Sequence, residues 1–93
     1  MTSPHEDPCA HGTRFGEVVV TVDTAVGDCV VHAPRPGPVV PVMHRTRLNS
    51  VEEMQGAYSV QMGYAASNPI AGDIARAIKF AILQLLKRNT GGV

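Results

Sequence analysis

The stretch Glu17-Val18-Val19-Val20-Thr21-Val22-Asp23, followed by Ala25-Val26-Gly27-Asp28 and then Cys29-Val30-Val31-His32-Ala33, decides the fold. Valines at 18, 20 and 22 recur with the period of two that places alternate side chains of an extended chain on one face. β-branched residues suit such a pleated, half-buried surface. Gly27 marks the reversal, because glycine takes positive φ without a Cβ penalty. The two runs predict an antiparallel hairpin with strands over 17–23 and 29–33. Register follows the hydrophobic pattern. A four-residue loop over 25–28 sets Thr24 opposite Cys29 and Val22 opposite Val31. Val18, Val20, Val22, Cys29, Val31 and Ala33 then share a buried face, and His32 lies on the outer face across from Thr21. A three-residue loop would instead reverse the faces of the second strand.

Downstream, Pro34-Arg35-Pro36-Gly37-Pro38 ends the hairpin, since proline donates nothing to a ladder and restricts the residue before it. Residues 39–43 are a candidate third strand, confined to an edge by Pro41. Ser50-Val51-Glu52-Glu53 is a capping box that opens a helix over 51–66. Val51, Met54, Tyr58, Met62 and Ala65 make its apolar stripe, and Gly56, Ser59, Gly63 and Ala66 make a stripe of small residues beside it. Each helix glycine costs about 1 kcal/mol relative to alanine. Close approach of another backbone offsets that cost, and a neighbouring helix is the natural candidate. Asn68 and Pro69 suit the cap and first position of a second helix over 69–88, which Gly91-Gly92 ends. Its apolar arc comprises Ala71, Ile74, Ala75, Ile78, Ile82, Leu85 and Leu86; Phe80 projects into the polar side.

Ninety-three residues hold one core and no second domain. Residues 1–13 carry no periodic hydrophobics and read as an extended arm on a single domain over 14–93. Only four aromatics contribute to the core, so it rests on small aliphatic side chains, a composition that association often supports. Net charge is zero, which gives no global field for nucleic acid. The charge is nonetheless uneven. Residues 1–33 hold five acids against Arg14, residues 34–49 hold Arg35, Arg45 and Arg47, and residues 67–93 hold Arg76, Lys79, Lys87 and Arg88 against Asp73. The polar first residues read as no signal peptide, and no stretch reaches the roughly 20 apolar residues that span a bilayer. A cytoplasmic, reducing setting with free thiols follows as the expectation.

Cys9 and His11 with Cys29 and His32 are the weak metal candidates, four zinc-type ligands in two close pairs. On a strand, positions 29 and 32 point to opposite faces, which argues against convergence on one ion. A Cys9–Cys29 disulfide is the oxidised alternative. Arg35 with Pro38 and Pro41 matches a polyproline-docking pattern, but a stiff connector explains the same residues. His44 with Arg45 and Arg47 offers positive charge near the first helix, whose start Glu52 and Glu53 already occupy. No nucleophile elbow, phosphate loop or metalloprotease motif is present.

The sequence thus predicts an α+β fold, an N-terminal hairpin covered by two C-terminal helices. It predicts a non-enzymatic protein without cofactor that self-associates or docks on a protein partner. The expected interface is Gly56, Ser59, Gly63, Ala66 and Phe80. A second reading is a peripheral binder of anionic membrane surfaces through Arg76, Lys79, Lys87 and Arg88 of the amphipathic helix. A third is a small metal-binding domain.

Overall fold

The computed structural model describes residues 12–35 and 42–91. In chain order these form β1 (Thr13–Phe15), β2 (Val18–Asp23), β3 (Asp28–Arg35), β4 (Val42–Leu48), α1 (Val51–Tyr64) and α2 (Pro69–Gly91). The strands make one antiparallel sheet in the order β1-β2-β3-β4, and the two helices follow it in an α+β fold.

The central hairpin has the expected faces but a register displaced by two residues. Val22 pairs with Cys29, Val20 with Val31 and Asp23 with Asp28. Asp23 explains the displacement. Its Oδ1 accepts from the N–H of Ala25 at 3.0 Å and of Val26 at 3.2 Å, and its carbonyl accepts from the N–H of Gly27 at 2.8 Å. These bonds pull the loop back to residues 24–27, and Gly27 closes it with φ 89°. Because side chains alternate with period two, a slip of two changes partners and not faces. His32 therefore stands opposite Val19 rather than Thr21.

Two strands differ from the sequence expectation. β1 begins at Thr13 and pairs with β2 across the turn at Gly16-Glu17, where Gly16 has φ 62°. Thr13 thus belongs to the sheet; residues 1–11 of the expected arm lie outside the described residues. The edge strand β4 covers 42–48, running past the expected end at residue 43, and residues 39–41, Pro41 included, lie outside the described residues. His44, Thr46 and Leu48 alternate with Met43, Arg45 and Arg47, so no apolar period marks the strand.

Both helices cover one face of the sheet. α2 lies against β1, β2 and β3, while α1 packs beside α2 and touches β4. Val18, Val20 and Cys29 of the sheet meet Met54 of α1 and Ala77, Ile78 and Ala81 of α2 in one core. Burying a side chain such as Met54 or Ile78 contributes about 1.5–3 kcal/mol. Ala77 and Ala81 let α2 approach the strands closely. Leu86, expected in the buried arc, is instead exposed.

Helix ends follow from local hydrogen bonds. The Ser50 Oγ accepts from the Glu53 N–H at 3.1 Å, as a capping box requires. The Glu53 carboxylate reaches one residue further back than expected and accepts from the Asn49 N–H at 3.1 Å. Asn68 caps α2 by accepting from the Ile70 N–H at 3.0 Å. α1 stops at Tyr64, two residues short of the expected end, and α2 runs past residue 88 to Gly91.

Candidate functional site

α1 faces α2 and the sheet with Met54, Ala57, Tyr58 and Gln61, and turns Gly56, Ser59, Gly63 and Ala66 outward. Among the described residues the two stripe glycines have no neighbour: beyond the missing Cβ of both Gly56 and Gly63 there is open space. α2 packs on the opposite face of α1. Gly72, near the start of α2, makes an ordinary contact with the interhelix turn, its Cβ position lying 3.8 Å from the Ala65 Cβ. Met62, expected in the buried stripe, is 50% exposed, and Gln61 is half-buried in its place. With Val60 at 55% and Tyr64 at 59% exposure, the outward surface of α1 is apolar as well as flat. It carries no charge after Glu53.

Phe80 does not join this surface. It is half-buried, and its ring lies 5.6 Å from that of Phe15 at an interplanar angle of 55°. The sequence reading lacked β1 and so had no partner for it. Beside the ring pair, Arg76, Lys79 and Leu83 border a shallow open depression. Arg76, Lys79, Leu83 and Lys87 recur at helical spacing and are all exposed, so three of the four expected cations lie along one stripe. Arg76 also pairs with Asp73 in the preceding turn. The Arg88 side chain lies outside the described residues. No helix among the described residues is long and apolar enough to cross a membrane.

Of the metal candidates, Cys29 and His32 diverge. Cys29 is fully buried on the helix-covered face, and burial, reinforced by neighbouring Asp28, pushes its thiol from 9.0 up to about 11. A thiol held protonated at neutral pH is a poor ligand and nucleophile. His32 is buried on the other face of the same strand. Cys9 and His11 lie outside the described residues. Among the described residues no group of three His, Cys, Asp or Glu side chains is placed to hold an ion. Asp28 is buried too, with Arg47 3.6 Å away across the strand pair, an ion pair that the sequence reading missed.

The expected positive cluster of His44, Arg45 and Arg47 is divided by strand alternation. Arg45 and Arg47 take the outer face, whereas His44 takes the helix side with Thr46 and Leu48. There it joins Arg35 at a cleft of ≈ 110 Å³ between the β3–β4 ladder and the helix pair. Buried Val31, Ala33, Leu48 and Ile78 form its floor; Arg35, His44 and Thr46 are exposed at its mouth. Nothing local in the sequence signals this cleft, because its walls come from both later strands and both helices.

In comparisons with protein-family models, with curated proteins and with solved structures, the chain matches none.

Proposed function

We propose that this chain is a non-enzymatic assembly protein that self-associates through the outward surface of α1, laying that helix against the same helix of a second copy. One observation carries the reading: Gly56 and Gly63 stand over open space on a helix face that is uncharged after Glu53. Two glycines cost the helix about 1 kcal/mol each, and no described residue of the same copy packs over them to offset this. A second helix does, because small side chains let interaxial distances fall toward about 8 Å. A two-fold pairing presents the same patch on both sides, so Val60 and Tyr64 flank the contact and pack across it. Gly63→Leu tests this directly. It is expected to lower the mass in solution while leaving the helix content intact; an unchanged mass removes the α1 surface from the account.

A second reading is docking on an anionic membrane surface through α2, favoured by Leu83 at 54% and Leu86 at 43% exposure on the side that carries Arg76, Lys79 and Lys87. It has less support, since the main apolar arc of α2 is buried against the sheet and α1. Co-sedimentation with anionic vesicles at low salt, lost at high salt, would support it, and absence of binding at low salt would end it.

A further inference from the structure

We infer that the cleft between the β3–β4 ladder and the helix pair binds a short branched aliphatic carboxylate, its chain on Ala33, Leu48 and Ile78 and its carboxylate between Arg35 and His44.

The chemistry of the lining selects this class. The floor is aliphatic and buried, so it rewards a hydrocarbon group. Among the described residues no acid lines the cleft, while a guanidinium and an imidazole do. The side chains of Arg35 and His44 have no ion pair or hydrogen bond among the described residues. Their placement follows from the ladder: Arg35 pairs with Val42 and His44 with Ala33, so both side chains project to the helix side at the same end of the sheet. An arginine fork matches the two oxygens of a carboxylate. Thr46 and Gln61 add neutral polar groups at the mouth. Size limits the chain. An apolar cavity of about 150 Å³ holds benzene, so ≈ 110 Å³ with an open mouth takes a smaller group and leaves the charged end outside.

This site goes beyond the assembly reading and does not depend on it, since every wall belongs to one copy and the outward surface of α1 is not part of it.

The test is a nuclear magnetic resonance titration of the full chain with isovalerate, with isoamyl alcohol as the uncharged match. Saturable shifts at the Ala33, Leu48 and Ile78 methyls and the His44 ring are expected with isovalerate. The alcohol should bind about tenfold more weakly, as loss of a charge-assisted hydrogen bond implies. Arg35→Gln, at an exposed position, should weaken isovalerate by a similar factor. Absence of saturable shifts overturns the site. Equal binding of acid and alcohol overturns the carboxylate assignment.

Discussion

The rings of Phe15 and Phe80 meet at 5.6 Å and 55°, and this contact ties the three-residue strand β1 to α2. So short a strand has little hydrogen bonding of its own, which makes the ring pair its main anchor. Phe80→Ala and Phe15→Ala should each destabilise the fold by about 2 kcal/mol, below the range for fully buried rings. A double-mutant cycle by urea unfolding should give a coupling of about 0.5–1.5 kcal/mol. Additive losses would mean that the rings pack independently.

Gly27 closes the central loop at φ 89°, and a Cβ there would touch nothing within 4 Å. The cost of Gly27→Ala is therefore conformational alone, about 1–2 kcal/mol. Equilibrium unfolding measures it. A neutral result would show that the loop relaxes into another turn.

Cys29 links stability to alkaline pH. Its thiol is held near 11 in the fold against 9.0 unfolded, so the native state keeps a proton that the unfolded chain releases. Stability from this group is complete below pH 9.0 and is lost as pH rises from 9.0 toward about 11. The loss approaches about 3 kcal/mol, since each of the two tenfold steps in proton affinity is worth about 1.4 kcal/mol. Cys29→Ala should flatten that limb of the pH profile. An unchanged profile would place the alkaline sensitivity elsewhere.

The faces of the central hairpin are legible because Val18, Val20 and Val22 in the first run and Cys29, Val31 and Ala33 in the second recur with a period of two. Its register is not, because the Asp23 side chain and not the valine pattern sets where the loop begins. The extent of the edge strand β4 to Leu48 is not legible because both of its faces carry polar residues, and β1 is not because three residues show no period. For the candidate surface, the small-residue face of α1 is visible at helical spacing. Which face meets α2 is not, since the apolar and small stripes adjoin. Phe80 looks misplaced only while its partner strand is missing. The cleft gathers residues from four elements, and no local pattern announces such a place.

The measurement that tests the central claim most directly is the absolute mass of the purified chain by light scattering during size exclusion at moderate salt. Self-association through α1 predicts a multiple of 9.9 kDa that returns to a single copy with Gly63→Leu. A mass of one copy across the accessible concentrations would contradict it.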